Sequence, residues 1–256
     1  MSYAELRALL TDDPARAAEW VESAARRGVP EAQLRLGRMR LERGDEPDAL
    51  TWFQRAARQG SAEAMNVVGR AHELGWAMEA DPAAAAEWYR RAAEAGCAWG
   101  DYNLANLKFD GRGVALDLEG AVAGYRRASA MGHARAMNLL GRCLEEGWGC
   151  ERDPAEAAQW YRRSAEAGYF RAQMNHASIL AERGRRDEAG LWFERAATAQ
   201  ALSQRVSVQA IARRRWRMAA PRPATPHSIS AQVAGSGTEA PVTPTNRLAP
   251  TGDRSA

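Results

Sequence analysis

Variants of one pattern, A-x-x-W-[YF]-x-[RK]-A-A, recur along this chain at a nearly fixed interval, and nothing else in it restricts the possible folds so strongly. The tryptophan stands at Trp20, Trp52, Trp88, Trp160 and Trp192, and Gly124 holds the same register before Tyr125, so the successive intervals are 32, 36, 36, 36 and 32 residues. Alanine lies three positions earlier in every copy, as Ala17, Ala49, Ala85, Ala121, Ala157 and Ala189. Glycine follows eight positions later, as Gly28, Gly60, Gly96, Gly132 and Gly168, until Gln200 breaks the series. Small residues recur twelve and seventeen positions on: Ala32 with Gly37, Ala64 with Gly69, Gly100 with Ala105, Ala136 with Gly141, Ala172 with Ala177. A period of this length marks supersecondary units that bury their apolar faces only against copies of themselves.

Each unit reads as two helices. Asp13, Asp45, Asp81, Asp117 and Asp153 sit seven residues before the aromatic column, and Asp81 and Asp153 directly precede proline. An aspartate cap followed by proline at the first helical position starts a helix, and the recurring glycine stops it in a left-handed conformation. The first helix of the next unit then runs from Ala32 to about Gly44, and from the equivalent alanines, into turns such as Gly111-Arg112-Gly113 and Gly147-Trp148-Gly149. Alanine, arginine and glutamate dominate while β-branched residues are sparse, which favours helix over sheet. The predicted fold class is therefore all-α, a right-handed α-solenoid of helix-turn-helix units. Its alanine and glycine columns let helix axes approach, and its tryptophan column is predicted to fill the gap between successive pairs.

These residues resemble the Sel-one-like repeat family, relatives of the tetratricopeptide repeat. The resemblance covers about residues 12–200 and is strongest over 136–168 and 100–132. The family's tyrosine column in the first helix is replaced here by Arg40, His72, Lys108, Leu144 and Leu180. The resemblance implies an adaptor that holds other proteins together and performs no catalysis of its own.

The chain divides into a solenoid over 1–200, of about five repeats and an N-terminal partial unit, a capping helix over 201–218, and a tail over 219–256. In the cap, Leu202, Val208, Ile211 and Ala212 form an apolar face suited to cover the end of the stack. The tail carries Pro221, Pro223, Pro226, Pro241, Pro244 and Pro250 among small polar residues and is expected to be disordered. The N-terminus lacks the apolar core of a signal peptide, and no stretch reaches the ~18 uncharged residues of a membrane span. Three cysteines without framework spacing suit a reducing compartment, so a cytoplasmic location is expected. Lys108 is the only lysine, a bias that suggests a GC-rich bacterial source. The 35 basic and 32 acidic residues nearly cancel and are interspersed, which argues against nucleic acid as a partner.

Helical spacing defines the stripe that each first helix turns toward the concave side. Unit by unit it reads Glu31, Leu34, Arg38, Leu41; Glu63, Asn66, Arg70, Glu73; Trp99, Tyr102, Asn106, Phe109; Arg135, Asn138, Arg142, Glu145; and Arg171, Met174, Ser178, Ala181. The middle unit places an aromatic strip, Trp99, Tyr102 and Phe109, between Asn66 with Arg70 and Asn138 with Arg142. Asparagine amides can pair with an extended peptide backbone, arginine forks grip carboxylates, and central aromatics make hot spots. By analogy with peptide clamps of tetratricopeptide domains, Asn66, Arg70, Asn106, Asn138 and Arg142 are the polar part of a candidate groove for a protein or peptide partner. The same rows serve equally as a solvated inner face, with the aromatics packed on the neighbouring unit's loop.

Other candidates are weaker. The run from Arg213 to Arg217 suits an anionic partner or simply the C-terminal end of a helix. Neither His72, His133, His176 nor His227 lies in a metal-ligand pattern, and Cys143 and Cys150 straddle a helix end, so no cofactor or metal is called for. Gly111-Arg112-Gly113 opens like a dinucleotide fingerprint, but Leu116 takes the third glycine's place. Two functions remain open: a non-enzymatic interaction scaffold, and a small hydrolase on a helical-repeat frame using His133, His176 or Cys143.

Overall fold

The structure, a computed structural model, describes residues 13–219, and among these the backbone forms eleven α-helices and no strand. In chain order they are α1 (Pro14–Arg26), α2 (Pro30–Glu42), α3 (Glu46–Arg58), α4 (Ala62–Leu74), α5 (Pro82–Glu94), α6 (Ala98–Asp110), α7 (Leu118–Ala130), α8 (Ala134–Glu146), α9 (Pro154–Glu166), α10 (Phe170–Glu182) and α11 (Arg186–Ala219). The first ten are 13 residues long. Each even-numbered helix packs on both of its neighbours in sequence, so α2/α3, α4/α5, α6/α7, α8/α9 and α10/α11 are the stacked pairs of an α-solenoid.

The capping chemistry expected of the aspartate column holds at every copy. Asp13, Asp45 and Asp117 accept from the backbone N–H three residues on, at 3.0, 3.2 and 2.8 Å. Asp81 and Asp153 each take two such donors. One oxygen thereby satisfies N–H groups that have no partner inside the helix. At the other end Gly28, Gly60, Gly96, Gly132 and Gly168 all take φ between +82 and +91°, where a side chain would be strained. The second glycine of each G-x-G turn has a different reason. A Cβ on Gly113 would lie 2.3 Å from the Pro82 carbonyl carbon, and one on Gly149 2.4 Å from that of Leu118. These turns therefore press backbone to backbone on the start of the preceding unit's second helix.

Two aromatic columns share the core: the residue after each tryptophan fills the contact within a helix pair, and the tryptophans pack between successive pairs, Trp52 against Val21, Ala25 and Leu36. Phe53, Tyr89, Tyr125 and Tyr161, one position later, are buried, and of the tryptophans Trp52 is buried too, Trp88, Trp160 and Trp192 are half-buried and Trp20 is 47% exposed. Adjacent residues on a helix point about 100° apart, so one column faces the partner helix and the other turns toward the preceding unit. The inward ring rests on the glycine column: a Cβ at Gly37, Gly69 or Gly141 would come within 2.6 to 2.9 Å of the rings of Phe53, Tyr89 and Tyr161. The tyrosine hydroxyls donate to Glu73 (2.6 Å), Asn106 (2.8 Å) and Glu145 (2.7 Å) on the paired helix. The indoles of Trp52, Trp88, Trp160 and Trp192 lie beneath the guanidinium of the arginine three residues on, 4.4 to 4.8 Å from the ring centroid.

The predicted boundary at residue 200 is not a helix end. With Gln200 where every other unit has glycine, α11 runs 34 residues without a stop, and the expected capping helix is its second half. Leu202, assigned to the covering face, is 57% exposed. The side chains of Val208, Ile211, Ala212 and Arg213–Arg217, and the whole tail from 220, lie outside the described residues.

Candidate functional site

Side by side, α2, α4, α6, α8 and α10 form the face on which the candidate groove residues were placed, and the structure assigns them three different environments. Asn66 and Asn138 are buried, at 7% and 4% exposure. The Asn66 Oδ1 accepts from Asn103 Nδ2 at 2.8 Å, tying α4 to α6, and Asn138 Oδ1 accepts from Asn175 Nδ2 at 3.0 Å, tying α8 to α10. The expectation that these amides offer themselves to an extended peptide is thereby corrected: in a seam closed to water, an amide takes its partner from the next helix. Asn106 is half-buried and accepts the Tyr125 hydroxyl, so it too supports packing.

The seam between α6 and α8 is built differently. Tyr102 stands in the asparagine acceptor's place and Leu139 in the donor's, and the junction is filled with rings. His133 packs 4.6 Å from Tyr102 and 4.3 Å from Trp99, perpendicular to the latter, and Trp99 meets Tyr102 edge-on at 5.8 Å. His133 also caps α8, its Nδ1 accepting from Ala136 N–H at 3.2 Å. An accepting Nδ1 carries no proton, so the neutral ring is protonated on Nε2, which is buried without a hydrogen-bond partner beside the perpendicular Trp99 ring. Burial, with Arg135 nearby, pushes its pKa down to about 4. His133 is a neutral plug in the seam, not a general base poised near neutrality.

Phe109 packs on Trp148 from the next unit's turn, 5.5 Å between centroids. Of the predicted aromatic strip, Tyr102 and Phe109 are thus largely spent on packing, while Trp99 remains 44% exposed. Three exposed arginines flank it, each lying over an indole: Arg135 over Trp99 itself (5.5 Å), Arg70 over Trp76 (5.4 Å) and Arg142 over Trp148 (5.3 Å). What the face offers is one indole amid cations held in place by stacking. Trp76 and Trp148 were missed by the stripe analysis because they lie in turns. Their signal was the repeated Gly75-Trp76 and Gly147-Trp148, 72 residues or two periods apart.

The residues considered for hydrolysis are not assembled. Cys143 is buried in the core around Tyr125 and Tyr161, and burial raises its thiol pKa to about 11. His176 packs edge-on against Trp192 at 5.3 Å, its pKa lowered by burial. No hydrogen bond joins Cys143, His133 and His176, and no group of three His, Cys, Asp or Glu among the described residues could hold a metal ion. Among those residues no helix is long and apolar enough to cross a membrane.

Compared with known proteins, residues 62–97, 100–133 and 134–169 each match the Sel1 repeat, and residues 6–64 match the tetratricopeptide repeat. A Sel1 repeat protein from Oxalobacter formigenes is 28% identical with a TM-score of 0.64, the match covering 70% of this chain and 75% of that one. A protective antigen of uropathogenic Escherichia coli strains, displaying an SLR fold, is 28% identical with a TM-score of 0.66 over 75% of this chain; this chain spans 44% of its length. No curated protein matches.

Proposed function

Because this chain is a Sel1-repeat protein, of a family that generally serves as protein-interaction scaffolds, we propose that it is a non-enzymatic scaffold that binds a protein or peptide partner in the groove lined by its first helices, with Trp99 as the anchor. The observation that carries this reading is the exposure of Trp99. The equivalent positions of the other units are Glu31, Glu63, Arg135 and Arg171, so a large apolar side chain stands alone in a column otherwise charged. Exposed aromatics of this kind mark contact surfaces. The stacked guanidiniums of Arg70, Arg135 and Arg142 keep their N–H edges free for carboxylates. The partner segment is therefore one with an apolar side chain between acidic residues. The reading places the protein in the cytoplasm, in keeping with three free cysteines.

Affinity capture by the full chain, followed by titration of the recovered protein, is the test. Covering the indole contributes roughly 1.5 to 3 kcal/mol by area, so Trp99→Ala weakens binding about 10- to 100-fold. Arg70→Glu with Arg142→Glu weakens it further at low salt and less at high salt. Equal affinity of the folded variants places the interface elsewhere.

A further inference from the structure

The outer surface of the stack lacks one of its seals. In four units an indole lies under an arginine three residues on, but in the middle unit Gly124 occupies the tryptophan column while Arg127 keeps the arginine's place. The opposing residue has changed reciprocally. Where α2, α4 and α8 present Gly37, Gly69 and Gly141, α6 presents Ala105, and a Cβ added at Gly124 would lie 2.9 Å from the Ala105 methyl. The methyl has moved across the α6/α7 contact; α10 also presents an alanine, Ala177, but its unit keeps Trp192, so α6/α7 is the contact at which the indole is missing as well.

A groove of about 590 Å³ opens between α5 and α6, with Arg127 of α7 at its edge. Ala86, Leu104 and Val114 give it apolar walls, Asp101, Lys108 and Arg127 line one polar side, and the paired Glu87, Arg90 and Glu94 of α5 line the other. The charges satisfy one another. Asp101, buried, accepts from Nε and a terminal nitrogen of Arg127, both at 2.7 Å, and Lys108 donates to Asp117 at 2.9 Å. The apolar walls and the arginine correspond to those of the next unit, where Val122, Leu140 and Cys150 belong to or pack on the core cluster that Trp160 covers and Arg163 roofs the indole, although Met137 and Leu144 stand there in place of Asp101 and Lys108. We propose that this groove receives an aromatic side chain, an indole above all, from a partner polypeptide, completing in trans the tryptophan column that this unit leaves open.

The occupant is argued from the chain's own chemistry: the equivalent slot, with apolar walls under a guanidinium, holds tryptophan in its other units, and here the ion pair of Asp101 with Arg127 takes the floor that Met65 and Met137 form there. Arg127 would exchange part of its contact with water for the face of a ring, as Arg91 and Arg163 have done. At 100° per residue, Asp101, Leu104 and Lys108 project from the side of α6 opposite Trp99, Tyr102 and Asn106. The groove is therefore distinct from the Trp99 face, and the two stand or fall separately.

The experiment titrates N-acetyl-5-fluorotryptophanamide with the full chain and follows its fluorine NMR resonance. Wild type is expected to shift or broaden it saturably in the millimolar range. Gly124→Trp combined with Ala105→Gly restores the glycine and tryptophan columns as they stand in α2/α3, α4/α5 and α8/α9 and is expected to weaken the probe at least tenfold while keeping wild-type helicity. Ala83→Trp, at an exposed position on the groove's rim, blocks it without entering the core and should act likewise. Trp99→Ala should leave probe binding unchanged. Absence of saturable binding to wild type, undiminished binding to the folded filled variants, or loss of binding through Trp99→Ala would each overturn the proposal.

Discussion

Replacing Gly69 by alanine sets a small stabilising effect against a larger destabilising one. In an unconstrained helix interior the change is stabilising by about 1 kcal/mol, because alanine has less backbone freedom to lose. In α4, however, the new methyl carbon would sit 2.7 Å from Cδ1 and Cε1 of Tyr89. That ring has nowhere to go: it is fully buried, and its hydroxyl is held by Glu73 Oε2 at 2.6 Å. Overpacking a filled core costs about 1 to 3 kcal/mol, and pulling the hydroxyl off a charged acceptor about 1.5 to 3 more. Against the gain of about 1 kcal/mol these costs leave a net loss of about 1.5 to 5 kcal/mol. Urea unfolding followed by the helical far-ultraviolet signal reads this as a midpoint lower by on the order of 1 M. In a Tyr89→Leu background the crowding is absent, so the same glycine replacement should become neutral or favourable, giving a coupling of about 1.5 kcal/mol or more in the double-mutant cycle. A raised midpoint for Gly69→Ala alone, or the same cost in both backgrounds, refutes the packing of ring on glycine.

The two aromatic columns should differ in weight. Tyr161→Ala removes a buried ring and leaves Glu145 without its donor, at about 3 to 5 kcal/mol, whereas Trp160→Ala strips a half-buried ring and costs nearer 1.5 to 3; the reverse order of urea midpoints would contradict the assignment of the core column. His133 should make the fold acid-sensitive. Its folded pKa of about 4 lies below the ordinary 6.5, so as pH falls through 6.5 the unfolded chain takes up a proton the folded chain refuses, and stability fully present above 6.5 drains away toward pH 4. His133→Asn keeps a capping oxygen for the Ala136 N–H but cannot titrate, so between pH 7 and 4.5 it should lose about 2 kcal/mol less than wild type, and parallel losses would show that the imidazole is not held neutral.

Much of this architecture was legible in the sequence because it depends on local chemistry that recurs. An aspartate seven residues before an aromatic and a glycine eight after mark helix ends without reference to anything distant. The choice between tryptophan and its neighbour as the core residue was not legible in the same way, since both are large and apolar and a helical wheel has no origin until a partner helix supplies one. The exception at Gly124 nevertheless contained the answer: a unit that discards the tryptophan but keeps Tyr125 shows which column the stack cannot spare. The asparagines obey the same logic. Asn66 and Asn138 look like ligands when each stripe is taken alone, because a buried amide and a solvent-facing one are identical in a sequence. Their partners, Asn103 and Asn175, each lie 37 residues on. The one intervening seam that lacks the acceptor, with Tyr102, also lacks the donor, with Leu139. Acceptor and donor appear and vanish together, as expected of groups that satisfy each other across a seam and not of groups facing a ligand. On the same test Trp99 does have a counterpart, His133, which appears with it in this seam alone, and only the 44% of its surface left exposed supports the proposed contact with a partner.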